Sequence, residues 1–267
     1  MMKSKNSFCL LLCAPIVTAH YTFPWLYVNG TLPRMWQYVR YVAIGYEDGE
    51  NWDSLPGPGM AIPQYDTTST NFTCGRLAID YAKTTETADV IAGTVVSFRV
   101  NQGFAPDDEG ALNSGLNHPG PAQAYLAKPP EGVALEDFSG TDGDWFKIAT
   151  LGAKTNESWV LESYAAGRMA NITIPATTPP GTYLLRFEQF WRDNNRKWEQ
   201  WFVNCAQVNI IGPGGGSLKG YPFAKFPGVY DEKDPGNLDH PEFWDKYGYY
   251  QNLLAWVAPG PPVWTGE

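Results

Sequence analysis

The chain of 267 residues carries 28 acidic against 19 basic side chains, a formal net charge of −9 with neutral histidines. That balance, with no basic run, argues against nucleic acid or a membrane surface as a partner, because both attractions draw on clustered Lys and Arg. A neutral polymer is the better match, and the length allows one large all-β domain or two small ones.

Residues 1–19 have the layout of a cleaved signal peptide: Lys3 and Lys5, an apolar run from Phe8 through Val17, then Val17-Thr18-Ala19 as an A-x-A-type cleavage site. The run is well short of the roughly 20 apolar residues that span a bilayer, so it is not read as an anchor. Cleavage after Ala19 predicts a secreted, extracellular domain spanning 20–267 with His20 at its N-terminus, more negative by the loss of Lys3 and Lys5. Cys9 and Cys13 leave with the signal, and Cys74 and Cys205 remain. In an oxidising compartment two cysteines most simply form one disulfide, the alternative being a pair of buried thiols. Asn29, Asn71, Asn156 and Asn171 open Asn-x-Ser/Thr sequons and are candidate N-glycosylation sites.

Further along, Val96, Phe98 and Val100 alternate with Ser97, Arg99 and Asn101, as a half-buried strand requires. Ile172 and Ile174 alternate with Asn171 and Thr173 in the same way, and Ala206, Val208 and Ile210 with Gln207 and Asn209. "YLLRF" (183–187) follows the turn signal "TPPG" (178–181) and reads as another strand. No long stretch has helical period, and 27 Gly and 22 Pro punctuate short strands, so the prediction is an antiparallel β-sandwich with long loops. With no linker-like tract and no repeat, residues 20–267 read as one domain, and the lack of an apolar tail speaks against a lipid anchor. Aromatic residues cluster where loops are expected, at Trp25, Trp36 and Tyr38 and again in "YGYYQNLLAW" (247–256). Most serve packing, while a few on one face would stack against sugar rings.

The chain has three histidines, His20, His118 and His240. A free α-amine, with an unperturbed pKa of about 7.7–8.0, is a neutral nitrogen ligand at mild pH, and at an N-terminal histidine it chelates together with the imidazole. One more imidazole completes three nitrogens, a set that suits Cu(II) by geometry and by affinity order. His118 stands in the Gly/Pro loop "SGLNHPGPAQAYLA" (114–127), which leads into a strand, whereas His240 in "NLDHPEFW" (237–244) is read as an ordinary solvated histidine. The acids of "PDDEGAL" (106–112) raise the alternative of a hydrolytic glycosidase. That chemistry needs two carboxyls about 5–9.5 Å apart across the bond, and adjacent acids on a loop read better as a solvated charge run.

The order of motifs resembles the fungal lytic polysaccharide monooxygenases of auxiliary activity family 9. The matching pieces are His20 followed by "LYVNG", "YDTTSTNFTCG" (65–75), "HPGPAQAYLA" (118–127), "WFKI" (145–148), "TIPATTPPGTYLLRFE" (173–188), "QWFVNCAQVNI" (200–210), "DPG" (234–236) and "APGPPVWTG" (258–266). The resemblance implies an immunoglobulin-like sandwich with a flat active face, a Cys74–Cys205 bridge, and one copper ion held by the α-amine and imidazole of His20 and the imidazole of His118. It further implies that Tyr250 faces substrate, with Trp36 and Tyr38 extending the platform, and that Gln200 and Phe202 flank the metal. Two departures stand out. The family's Gln-x-Tyr is here Gln200-Trp201-Phe202, and no histidine occurs in "QFWRDNNRKWEQWF" (189–202), where Arg192 or Asp193 falls nearest the one histidine that the family places behind the metal ligands. The function implied is oxidative cleavage of an insoluble β-1,4-linked polysaccharide, cellulose or an associated glucan, at C1 and/or C4, by a monomer using O₂ or H₂O₂ and an external electron donor. The alternative is a relative without oxygenase activity that binds copper or carbohydrate.

Overall fold

The computed structural model describes residues 20–42, 63–101, 115–141, 143–162, 169–193, 198–230, 233–238 and 240–267. Residues 1–19, read from the sequence as a cleaved signal peptide, and the acidic stretch 106–112 lie outside the described residues.

Among the described residues eight strands make two sheets. The smaller sheet sets β3 (Val95–Asn101) between β1 (Thr22–Val28) and β6 (Met169–Thr173), all antiparallel. The larger runs in the order β2 (Ala88–Ile91), β8 (Trp198–Ile211), β7 (Gly181–Asp193), β4 (Ala122–Ala127) and β5 (Trp145–Leu151). Its pairs are antiparallel except β2 with β8, which runs parallel from Ala88 opposite Val208 to Ile91 opposite Ile211. The all-β sandwich expected from the sequence is therefore the fold.

Alternation decides which side chains meet between the sheets. Leu26, Val96, Phe98 and Ile172 face Leu185, Phe187, Ala206 and Val208 in one buried cluster, and the Phe98 and Phe187 rings stack at 5.0 Å. Each of the Leu, Val, Ile and Phe side chains among them, fully buried, contributes roughly 1.5–3 kcal/mol. A second buried cluster covers the other face of the large sheet, where Leu184, Phe190, Trp201 and Val203 pack under Phe72, Trp159, Phe226 and Leu253 from the loops. The Cys74–Cys205 bridge lies in this cluster and joins positions 131 apart, with Cα atoms 5.1 Å from each other. In the chain-entropy account a loop of that length is worth on the order of 4–5 kcal/mol.

Burial on both faces explains why "YLLRF" understates β7. Beyond Phe187 the strand continues through Glu188 and Gln189, both fully buried, to Asp193. On the outer face Arg186 pairs with Glu188, donates Nε–H to the Thr73 carbonyl at 2.8 Å, and lies 3.7 Å over the Phe226 ring. Glu188 also accepts from the Tyr230 hydroxyl at 2.5 Å and from Gln123 Nε2 at 2.9 Å. Of the sequon residues, Asn29, Asn156 and Asn171 are exposed and Asn71 is half-buried at the start of a one-turn helix, Asn71–Cys74.

Candidate metal centre

Two chain segments far apart in sequence meet at one end of the sandwich. His20 stands just ahead of β1, and His118 stands in the loop that leads into β4. Their ring centres are 5.9 Å apart. An imidazole nitrogen bound at about 2.0–2.1 Å puts its ring centre roughly 3 Å from a metal, so two rings at this separation can share one ion. His20 Nδ1 and His118 Nε2 are both buried. Among the described residues no group of three or more His, Cys, Asp or Glu side chains is assembled to hold a metal. The third donor expected from the sequence is a backbone amine, which exists only once the bond to Ala19 is cut.

Strand β8 supplies the floor. Gln200 and Phe202 are two positions apart and so project from the same face, and both are buried. The Phe202 ring lies 6.3 Å from His20 and 6.0 Å from His118, and it stacks on Tyr21 at 4.0 Å. Gln200 Oε1 is buried with no hydrogen-bond partner among the described residues, an acceptor that a bound group or a substrate hydroxyl would satisfy. Two imidazoles with an apolar ring beside them fit a nitrogen-ligated ion, and Gln200, two positions along β8 from Phe202, adds an unsatisfied acceptor.

Strand β7 holds the His118 loop. Register places Ala122, Gln189 and Phe202 side by side across β4, β7 and β8, with Trp191 opposite Gln200 one step further out. The Trp191 indole stacks on the His118 ring at 4.0 Å and 13°. Gln189 Nε2 donates to the His118 carbonyl at 3.0 Å, and Gln189 Oε1 accepts from the Tyr21 hydroxyl. Burial pushes the Tyr21 hydroxyl well above its ordinary pKa, so it stays a donor. The loop must approach closely: a Cβ on Gly120 would lie 2.0 Å from the Phe190 carbonyl oxygen.

Tyr250 borders the site but is turned inward. Its hydroxyl donates to the Pro119 carbonyl at 3.1 Å, its ring packs 4.4 Å from Trp244 and edge-on to Trp159, and burial raises its pKa. The exposed rings of that segment are Tyr247 and Tyr249, each 72% exposed on a turn held by Asp245, which accepts from both of their backbone N–H groups at 2.8 Å. Trp36 and Tyr38 pack against the buried core between the sheets. Val39, next to Tyr38, pairs with Ala206, four residues along β8 from Phe202, or about 13 Å at strand spacing. Arg192 is buried on β7. His240 lies 3.7 Å from Glu242, away from these residues in the last segment of the chain. Sequence reasoning missed Tyr21, Gln189 and Trp191. The only signal was an aromatic and an amide two positions apart on one strand face, with nothing local to say what they touch.

A sandwich with two histidines meeting beside a Gln-x-aromatic strand defines a class of protein, and comparison agrees. The sequence profile of Auxiliary Activity family 9 (formerly GH61) matches residues 20–248, and the chain belongs to that family. It is 44% identical over 258 residues to AA9 family lytic polysaccharide monooxygenase U of Thermothielavioides terrestris, covering 94% of this chain and 95% of that protein. It is 31% identical over 263 residues to AA9 family lytic polysaccharide monooxygenase H of Malbranchea cinnamomea, covering 96% and 97%. Among solved structures, HiLPMO9B superposes with a TM-score of 0.66 at 22% identity, covering 92% of this chain and all of that one. A cellulose-active polysaccharide monooxygenase from M. thermophila gives 0.62 at 18% identity, covering 93% and 100%. Monooxygenases of this family are copper-dependent in general and act on polysaccharides.

Proposed function

We propose that the chain is a secreted, copper-dependent lytic polysaccharide monooxygenase that cleaves a β-1,4-linked glucan, cellulose or an associated polymer, at C1 and/or C4. The observation that carries this reading is the approach of His20 and His118 to 5.9 Å beside Phe202, with the family match beginning at His20 itself. Signal cleavage after Ala19 exposes the His20 amine, and that amine with the two imidazoles gives three nitrogens, a set that favours copper. A copper ion held by the His20 amine and the two imidazoles would supply one-electron chemistry for oxidising a C–H bond beside the glycosidic linkage, with either O₂ and electrons from an external donor or H₂O₂ as the oxidant. The protein's own part is positional. Trp191 fixes the plane of His118, Phe202 closes one side with an apolar ring and keeps water from it, and Gln200 Oε1 accepts a proton donor there. Tyr247 and Tyr249, exposed on the segment that also carries Tyr250, form a candidate stacking surface for a neutral polymer.

Copper-loaded protein processed to His20 is expected to release oxidised oligosaccharides from cellulose only when a reductant is present. No oxidised product, with copper binding verified, would remove the claim for that substrate. Phe202 favours a second reading, a member that binds copper or carbohydrate without oxygenase turnover, because its ring offers no hydroxyl where the family has tyrosine. Activity gained by Phe202→Tyr together with a histidine at Arg192 or Asp193, where the unaltered protein is inactive, would establish that reading.

A further inference from the structure

We propose that Gln189 is a positioning residue that clasps the segments carrying His20 and His118, so that the ligand geometry is set before an ion arrives. The inference rests on the copper reading above. It comes from one fully buried amide. Gln189 Oε1 accepts from the hydroxyl of Tyr21, the residue directly after His20, while Nε2 donates to the carbonyl of His118 and to that of Phe190, both at 3.0 Å. The Tyr21 hydroxyl also lies 3.3 Å from the His118 carbonyl, closing a triangle between positions 97 apart in the chain.

Only a carboxamide suits this place, because it needs an acceptor on one side and two N–H donors on the other. A carboxylate lacks the donors, and an aliphatic side chain leaves the Tyr21 hydroxyl and a loop carbonyl without that partner in a buried setting. The surroundings are shaped to the clasp. Ala122, opposite Gln189 on β4, leaves room for the amide, and at Gly120 a Cβ would fall 2.8 Å from Nε2. Tyr250 holds the same loop from the other side through Pro119. Groups that orient metal ligands from behind commonly matter by 10–100-fold in metal affinity. The clasp acts through the carbonyl of His118 and the side chain that follows His20 rather than through the ligand rings, so the lower end of that range applies.

The test is a double-mutant cycle with Tyr21→Phe, Gln189→Met and both, in protein processed to His20, titrated with Cu(II) alone. Thermal unfolding in chelator provides the metal-free reference. Each single change is expected to weaken Cu(II) binding about ten-fold and to shift the electron paramagnetic resonance spectrum, with the double variant no worse than the weaker single. Tyr21→Phe retains the ring stacked on Phe202 and so reports even if Gln189→Met does not fold. Wild-type affinity and spectrum in the variants, with only the metal-free melting temperature lowered, would overturn the clasp, and so would fully additive losses. If the unaltered protein itself fails to bind Cu(II) through His20 and His118, the copper reading fails first, which separates the two outcomes.

Discussion

The two faces of β7 use buried polar side chains for different ends. On the outer face Arg186 and Glu188 neutralise each other, and Tyr230, Gln123 and the Thr73 carbonyl take up further bonds. That network points nowhere but inward, beneath loops that cover the sheet. On the inner face the strand begins as apolar core, with Leu185 and Phe187, and turns polar only at Gln189, with Trp191 beyond it. There the bonds go to the carbonyl of His118 and to the hydroxyl beside His20. A polar group buried against its own kind holds the fold, whereas one buried against a loop's backbone holds what the loop carries. Changes at Arg186 or Glu188 should therefore cost stability with copper affinity untouched, whereas changes at Gln189 or Trp191 should weaken copper binding as well.

The largest effect is expected from Arg186→Met. It leaves Glu188 buried without its charge partner, a loss of about 3–5 kcal/mol, which denaturant unfolding would measure. Adding Glu188→Leu should recover much of it, since a packed apolar pair needs no charge compensation. The folded fraction of either variant should bind Cu(II) as the unaltered protein does. A weakening as large as that of Gln189→Met would break the distinction between the faces.

Gly120→Ala falls between the two cases. Its new methyl meets the Phe190 carbonyl at 2.0 Å, so the loop must move, and overpacking of this kind costs about 1–3 kcal/mol. Because the moving residue is two positions from His118, the copper spectrum should shift as well. A loss of stability with an unchanged spectrum would show that the loop can rise off β7 without disturbing the imidazole.

What could be read in advance follows from how local each signal is. The Val96, Phe98, Val100 alternation identified β3 because one face of that strand meets the core and the other does not. The cleavage-like pattern before His20 drew attention to that residue, and Cys74 and Cys205, the two cysteines beyond residues 1–19, are the pair that the structure bridges. The length of β7 was not legible: Arg186, Glu188 and Gln189 look like surface residues until loops bury one face and the smaller sheet the other. Nor was the parallel pairing of β2 with β8, a long-range choice that no local pattern signals. Trp191 and Gln189 are named as site residues only by register, which sets them beside Gln200 and Phe202. Tyr250 shares its turn with Tyr247 and Tyr249, yet its hydroxyl bonds Pro119 while theirs remain in the exposed part of the segment.

The smallest effect, and the most specific to the inner face, is expected from Trp191→Ala. Trp191 is half-buried, and its stack on His118 at 4.0 Å holds the imidazole plane rather than the core. Aromatic stacking of this kind is worth about 0.5–1.5 kcal/mol beyond area burial, so losing it allows the ring to rotate at a cost of up to about ten-fold in Cu(II) affinity. Denaturant stability should change by less than for Gly120→Ala. Trp191→Phe keeps a ring at the same height and should restore most of the affinity and the shape of the spectrum, which a purely steric filler such as Trp191→Leu should not. Equal copper binding by the Leu and Phe variants would reduce Trp191 to packing, and positioning on the inner face would then rest on Gln189 and Tyr21 alone.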